Sequence, residues 1–235
     1  MMDLTDKVAL VTGGSRGIGA AIAKRLARDG ANVALTYVSA AAEARAVVAE
    51  IEAMGRNGLA ILADSADPEM VVEAVDRTAS AFGRLDILVN NAGVFPYGPL
   101  DDMPLEEVDR TLAIHARAAF IAAQAAVRHM GTGGRIISIG SSLAERVPYQ
   151  GVSLYAMSKS ALTGLTKGLA RDLGAHGITA NLVHPGSTDT DMNPANGPMA
   201  DEERRLTALG QYGCPEDVAA MVAYLASADG RNITG

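Results

Sequence analysis

The sequence contains few of the residues that bind metals or form disulfides. It has one cysteine, Cys214, and four histidines in 235 residues. A single cysteine excludes an internal disulfide, and these residues form no cluster at the spacing of a metal site. We therefore expect no metal and a reducing compartment such as the cytoplasm.

Positive charge and long apolar runs are also scarce. The net charge is −7 and no basic run is present, which argues against a nucleic-acid partner. The longest apolar stretch, residues 118–123, is too short to cross a bilayer. Asp3 and Asp6 lie where the basic start of a signal peptide would be. We expect a cytoplasmic protein with no membrane partner and, with 49% hydrophobic residues, one domain over residues 1–235.

Short aliphatic runs alternate with helical patterns along the chain. The predicted strands are Val8–Thr12, Asn32–Tyr37, Gly58–Ala63, Leu85–Asn90, Gly134–Ile139 and Ile178–Val183. The predicted helices span about 18–29, 40–54, 68–82, 104–130, 153–175 and 215–227. Strands joined by helical crossovers predict a parallel sheet covered on both faces, with ligands at the carboxyl ends of the strands. Residues 187–213 form one long irregular region, which is typical of a lid.

A glycine-rich loop follows the first predicted strand and leads into a helix. Its glycines are Gly13, Gly17 and Gly19, in a Gly-x3-Gly-x-Gly spacing. Glycines allow a tight turn close to a pyrophosphate, and the helix N-terminus supplies free N–H groups. This context predicts a nucleotide phosphate site.

Tyr155 and Lys159 are four residues apart in a predicted helix and therefore share a face. A cation beside the phenol would lower its pKa toward neutrality, as general acid–base chemistry requires. Ser142, thirteen residues upstream, could hold a carbonyl or alcohol oxygen together with Tyr155. Taken alone, the pair is better explained as a surface lysine beside a half-buried tyrosine.

These motifs together resemble a known family. The loop Thr12–Gly19, the segment Asn90–Gly93, Ser142 with Tyr155-x3-Lys159, and Pro185-Gly186 resemble, in this order, the signatures of short-chain dehydrogenases/reductases. The chain is most similar to the single-domain branch and to its 3-oxoacyl-acyl-carrier-protein reductases. The resemblance implies a Rossmann-type doubly wound parallel sheet and hydride transfer that interconverts a ketone and a secondary alcohol.

The resemblance also implies which residues contact the cofactor. We expect them to be Gly13, Ser15, Arg16, Gly17, Ile18, Gly19, Tyr37, Ser39, Asp64, Asn91, Ala92, Gly93, Tyr155, Lys159, Pro185, Gly186, Thr188 and Thr190. Tyr37 stands where NAD-preferring members carry an acidic residue, and an arginine at position 16 suits a 2′-phosphate. NADP(H) is therefore the expected cofactor. Asp64, at the family's adenine position, could instead cap the helix that begins near Pro68.

The catalytic residues that the resemblance implies are Ser142, Tyr155 and Lys159. His115 stands where the family usually has an asparagine that holds a water of the proton relay. It could join that relay, with an extra pH limb near ~6.5, or it could be a buried structural histidine. By position alone, the substrate residues are Ser142, Ala144, Val152, Tyr155, Ser187 and Met192.

Three further expectations concern the whole molecule. The chain stops at Gly235, before the family's last strand, so that strand is either missing or not included. The small residues Ser160, Gly164 and Gly168 predict helix pairing in a homotetramer built as a dimer of dimers; alternatively, they pack on the chain's own sheet. Two other functions remain open, a non-catalytic NADP(H) sensor and an NAD-dependent alcohol or sugar dehydrogenase.

Overall fold

The computed structural model describes residues 2–235, and it contains a sheet of six parallel strands. The strands are β1 Val8–Val11, β2 Asn32–Tyr37, β3 Gly58–Leu62, β4 Ile87–Asn90, β5 Arg135–Ile139 and β6 Thr179–Val183. Their order across the sheet is β3-β2-β1-β4-β5-β6. This confirms the predicted Rossmann-type doubly wound sheet.

Helices connect the strands and cover both faces of the sheet. They are α1 Gly17–Arg28, α2 Ala41–Ala53, α3 Pro68–Phe82, α4 Leu105–Leu112, α5 Ala118–Ala126, α6 Ser153–Leu173, α7 Ala200–Leu206 and α8 Pro215–Ala226. A five-residue π-helical turn, Ala113–Arg117, joins α4 to α5. The predicted helix 104–130 is thus one helical segment with a π turn inside it, a feature that is frequent at functional sites.

The strands are apolar throughout because both sides of the sheet are buried. In β1, Ala9 and Val11 pack in a core with α1 and α8, while Val8 and Leu10 pack in a second core with α3 and α5. Successive side chains of a strand point to opposite faces, so one short run of aliphatic residues supplies both cores. The sheet is thereby a rigid support for the loops at its carboxyl edge.

The last residues of the chain run beside β6. The Gly235 amide donates to the Ala180 carbonyl oxygen at 2.9 Å, and the Asn181 side-chain amide donates to the Ile233 carbonyl oxygen at 2.8 Å. No seventh strand is assigned within residues 2–235. In this same range, no helix is both long enough and apolar enough to span a membrane.

Candidate active site

A cleft of about 720 Å³ opens at the carboxyl edge of the sheet. It lies between β1 and β4, where the order of the strands across the sheet reverses. This topological switch point is the usual ligand position of a doubly wound fold. Every residue predicted to contact the cofactor lines this cleft. The structure therefore brings the separate sequence motifs into one site.

The glycine loop has a backbone that only glycine fits well. Gly13 and Gly17 have positive φ angles of 63° and 53°, a region that favours glycine. A Cβ on Gly19 would collide with the carbonyl oxygen of Gly13 and lie 2.5 Å from the side-chain nitrogen of Asn91. At the N-terminus of α1, Arg16 makes no side-chain capping hydrogen bond. The first N–H groups of α1 can therefore bind an anion.

Thr12 and Asn91 join the loops that follow β1 and β4. The Thr12 hydroxyl oxygen accepts hydrogen bonds from the amides of Asn91 and Ala92, both at 3.0 Å. The Asn91 side chain donates to the carbonyl oxygens of Thr12 at 2.9 Å and Gly13 at 3.0 Å. The amide of Asn91 thus holds the glycine loop in place, a role that sequence reasoning did not anticipate for either residue.

The far end of the cleft is suited to a phosphorylated ribose. Arg16, Tyr37 and Ser39 line it together, and no carboxylate follows β2 at this point. The N-terminus of α2 begins here and has no side-chain cap, so its N–H groups add to the positive potential. These features fit a 2′-phosphate better than a free 2′-hydroxyl.

Asp64 lines the cleft and does not cap α3. The cap is Asp67, whose Oδ1 accepts hydrogen bonds from the amides of Glu69 at 2.9 Å and Met70 at 3.2 Å. Asp64 accepts from the Ala66 amide at 2.9 Å and lies 3.5 Å from the guanidinium of Arg110. The alternative capping role for Asp64 is therefore wrong.

Tyr155 lies at the floor of the cleft beside Ser141. Burial raises the pKa of its phenol, and the nearby Ser141 side chain opposes that shift. Ser141 is 9% exposed, whereas Ser142 is exposed and begins the short 3-10 turn 142–144. Both serines line the cleft, and Ser141 is the one whose side chain affects the pKa of Tyr155. Ser141 therefore joins the predicted Ser142 as a candidate for the serine that acts with Tyr155.

Lys159 is buried behind Tyr155. Its Nζ donates to the Ile139 carbonyl oxygen at 2.9 Å and lies 5.8 Å from the centre of the Tyr155 ring. Burial lowers the pKa of Lys159 to about 8. The expected drop in the pKa of Tyr155 is not found, since burial of the phenol dominates. The phenol thus stays protonated at neutral pH.

His115 lies in the π turn and is 2% exposed. Its Nε2 accepts a hydrogen bond from the Val94 amide at 3.0 Å, so the proton is on Nδ1, which lies 2.8 Å from the hydroxyl oxygen of Ser158. The Ser158 hydroxyl in turn donates to the Tyr155 carbonyl oxygen at 2.7 Å. Burial, with a smaller effect of Lys159, lowers the pKa of His115 to about 3. Both ring nitrogens are occupied, which disfavours the relay hypothesis and the pH limb near ~6.5.

The backbone of Ser141 is held by the segment that follows β6. His184 Nδ1 lies 2.7 Å from the Ser141 carbonyl oxygen and 3.1 Å from its amide nitrogen, so either tautomer makes one hydrogen bond. The two residues that flank Ser141 are bound to the same segment. The Gly140 amide donates to the Val183 carbonyl oxygen, and the Ser142 amide donates to the Pro185 carbonyl oxygen. A Cβ on Gly140 would lie 2.6 Å from His184 Nδ1, which explains the glycine before the serine.

The substrate end of the cleft differs from the prediction. Ser187 and Met192 line it, but Ala144 and Val152 do not. Val152 is fully buried and the Ala144 carbonyl oxygen accepts from Ser160. The lining residues that were missed at this end are Val94, Phe95, Ser141, Leu143, Arg146, Pro148, Tyr149, Asn193, Glu203, Leu206 and Thr207. Only 4% of the residues are aromatic. Phe95, which follows the Asn90–Gly93 segment, and Tyr149, which precedes Tyr155, could therefore have been recognised in the sequence as candidates for the substrate end.

Glu203, on α7, is an acidic residue that lines this end, as does Asp191. Its Oε2 accepts hydrogen bonds from the Asn193 side-chain amide at 2.8 Å and the Tyr212 hydroxyl at 3.2 Å. Burial first, and the charge of Glu203 second, raise the pKa of Tyr149 to about 12. The predicted lid region thus contains a short helix fixed to the loop before α8. Among residues 2–235, no cluster of three metal-ligating side chains occurs.

A dinucleotide-type cleft that ends at a tyrosine, a serine and a buried lysine defines a nucleotide-dependent oxidoreductase of the α/β class. A family model described as enoyl-(acyl carrier protein) reductase matches residues 13–235. The chain belongs to the short-chain dehydrogenase/reductase family.

Solved structures and a curated relative agree over almost the whole chain. A short-chain dehydrogenase from Burkholderia cenocepacia, crystallised with NADP, is 64% identical, with a TM-score of 0.98 over 98% of this chain and 94% of that one. A blue fluorescent protein from a metagenomic library, crystallised with NADPH, is 57% identical, with a TM-score of 0.97 over 99% and 95%. The cyclic-di-GMP-binding biofilm dispersal mediator protein of Escherichia coli is 46% identical over 98% of this chain and 94% of its own.

Proposed function

We propose that this protein is an NADP(H)-dependent reductase that interconverts a ketone and a secondary alcohol. The observation that carries the proposal is the position of Tyr155, half-buried at the floor of the cleft with Ser141 beside it and Lys159 behind it. These groups can hold a carbonyl oxygen and move a proton to it.

The cleft fits NADP(H) along its whole length. The N–H groups of α1 and the glycine loop would hold the pyrophosphate. Arg16, Ser39 and the N-terminus of α2 would hold the 2′-phosphate. The neighbours crystallised with NADP and NADPH support this choice. When bound, the cofactor supplies or accepts the hydride.

The protein's own residues handle the oxygen and the proton. In reduction, the Ser141 hydroxyl donates a hydrogen bond to the carbonyl oxygen and fixes its place. Tyr155, which burial keeps as a neutral phenol, donates a proton to the developing alkoxide. Lys159 is held by the Ile139 carbonyl oxygen and places positive charge close to the phenolate that this transfer leaves.

The first experiment uses variants of the tyrosine and of the two adjacent serines. Tyr155→Phe should lower kcat with the best ketone by about 10²–10⁴, the usual effect of losing a positioned acid–base group. Ser141→Ala should lower kcat by about 10² or more, as loss of one oxyanion donor does. Ser142→Ala is the matched control and should stay close to wild type. Near-normal turnover of Tyr155→Phe would overturn the proposal, and a larger defect in Ser142→Ala than in Ser141→Ala would return the role to Ser142.

A second candidate is a sensor that binds cyclic-di-GMP, because the E. coli relative carries that description. The two candidates differ in what they require of the site. A sensor would bind its ligand whether or not Tyr155 is present, whereas a reductase would not turn over without it. Calorimetric titration with cyclic-di-GMP, alongside NADPH consumption with a panel of ketones, separates them.

We also propose that the protein is a homotetramer. Gly164 and Gly168 of α6 are exposed, and a Cβ on either would meet nothing within 4 Å. Ser160 and Met157 are exposed on the same face of the helix. These small residues do not pack on the chain's own sheet, which supports close approach of a partner helix. Light scattering should give four times the 24.2 kDa chain mass, and Gly164→Arg should reduce that mass; a monomer or a dimer at micromolar concentration would refute the tetramer.

A further inference from the structure

Aromatic side chains are concentrated at the substrate end of the cleft. The chain has three phenylalanines, six tyrosines and no tryptophan. Phe95 and Tyr149 line the cleft next to Tyr155, and Tyr97 stacks behind Phe95. We refer to Phe95, Tyr97 and Tyr149 as the aromatic wall. Such a concentration in a chain with 4% aromatic residues makes this wall a candidate recognition surface.

The ring of Phe95 is directly beside the reacting group. Its centroid lies 4.8 Å from that of Tyr155, with an angle of 70° between the planes, which is an edge-to-face arrangement. The Tyr97 ring stacks on Phe95 with centroids 6.5 Å apart and planes at 15°. Phe95 remains 38% exposed, so part of its surface is open to a ligand at the Tyr155 hydroxyl.

The loops that carry the wall are fixed to each other. The Gly98 amide donates to the Gly151 carbonyl oxygen at 3.0 Å. A Cβ on Gly151 would lie 2.9 Å from the Tyr97 ring, so the ring packs against bare backbone. These contacts fix the backbone of the two loops and one side of the Tyr97 ring, which is itself 64% exposed. They lower the side-chain entropy that the wall would lose when a ligand binds.

The position of the substrate carbonyl determines which part of the substrate contacts the aromatic wall. Its oxygen must reach both Ser141 and Tyr155, so one of the two groups flanking the carbonyl carbon lies against Phe95. Leu143, Pro148 and Met192 add apolar surface at this end, beside the polar side chains of Arg146, Asn193 and Glu203. Aromatic rings in contact gain roughly 0.5–1.5 kcal/mol beyond the burial of equal area.

We propose that the substrate is a ketone with an aryl group attached to the carbonyl carbon or one carbon away, and that Phe95 selects this group. This inference rests on the proposed reductase function. The two can be tested separately, because this inference predicts the ratio of kcat/KM between two ketones, whereas the reductase function predicts that ketones are reduced at all.

The test compares 1-phenylpropan-2-one with 1-cyclohexylpropan-2-one, which has a ring of similar size without π electrons. Wild type should show kcat/KM higher for the phenyl ketone by about 3- to 10-fold. Phe95→Leu should bring that ratio close to one, while its affinity for NADPH, measured by fluorescence titration, stays unchanged. Phe120→Leu is the control, since Phe120 is half-exposed on α5 and does not line the cleft; it should keep the wild-type ratio.

The outcomes distinguish the two proposals. Turnover of both ketones with equal kcat/KM, or a phenyl preference that persists in Phe95→Leu, overturns the role of the aromatic wall and leaves the reductase proposal standing. A failure of wild type to consume NADPH with any ketone overturns both proposals.

Discussion

Replacing His115 by asparagine should make the protein less sensitive to acid. His115 is 2% exposed, and its pKa of about 3 in the folded protein compares with 6.5 for an unperturbed histidine. Between these values the unfolded chain binds a proton that the folded protein does not. The contribution of His115 to stability is therefore complete above pH ~6.5 and falls as the pH is lowered toward ~3.

The magnitude follows from the difference between the two pKa values. One pKa unit corresponds to about 1.4 kcal/mol. At pH 5, about 1.5 pH units below the pKa of 6.5 of the unfolded histidine, the free energy of unfolding should be lower than at pH 7.5 by about 2 kcal/mol through this residue alone. Lys159, the charge that adds to the shift of His115, is itself mostly protonated below its pKa of about 8 and changes little in this range.

The assay is equilibrium urea unfolding at both pH values, with equal protein concentrations. His115→Asn should be less stable than wild type at pH 7.5, because the Val94 amide and the Ser158 hydroxyl lose a well-placed partner. Between pH 7.5 and pH 5, the free energy of unfolding of His115→Asn should fall by about 2 kcal/mol less than that of wild type. His176→Asn, at an exposed histidine, is the control and should lose as much as wild type. Equal acid losses in wild type and His115→Asn would refute the reasoning.

Three further perturbations test the site. Gly19→Ala should weaken NADPH binding in fluorescence titrations by at least about tenfold, or roughly 1.4 kcal/mol, because its Cβ would collide with the Gly13 carbonyl oxygen; wild-type affinity would contradict the tight loop. His184→Leu should lower kcat with little change in NADPH affinity, and His184→Asn, which places an amide near the Nδ1 position, should restore part of kcat; a wild-type kcat in His184→Leu would refute this role of His184. Asp67→Ala should lower the free energy of unfolding by about 1 kcal/mol through loss of the α3 cap, as measured by urea unfolding, and no change would mean that the cap is replaced.

The sheet and most of the cleft could be predicted because they depend on short-range patterns. Each buried strand is a run of aliphatic residues, and each cofactor loop follows a strand end, so the parallel order brings these loops to one edge. The family and the choice of NADP(H) agree with the comparisons. Helix α7 was missed because five of its seven residues are charged and only Ala200 is buried, which leaves no apolar periodicity to detect.

The finer features of the site depend on side-chain direction, which spacing does not determine. Ser141 and Ser142 are adjacent and both line the cleft, so their spacing from Tyr155 alone does not show which hydroxyl acts with the phenol. The partners of His115 come from Val94 and Ser158, distant in the chain. Its protonation therefore could not be judged from its place on a helix face.

The support of Ser141 by the segment after β6 has a thermodynamic consequence. This segment continues into the loop whose Thr190 methyl carbon lies 3.5 Å from the Cβ position of Gly17, across the cofactor end of the cleft. The same stretch of chain thus borders the cofactor end of the cleft and supports Ser141, which we propose binds the ketone oxygen. Any change that the cofactor makes in this stretch alters the affinity for the ketone, and reciprocity requires an equal effect of the ketone on cofactor affinity. We therefore expect the affinity of the protein for each ligand to depend on whether the other ligand is bound.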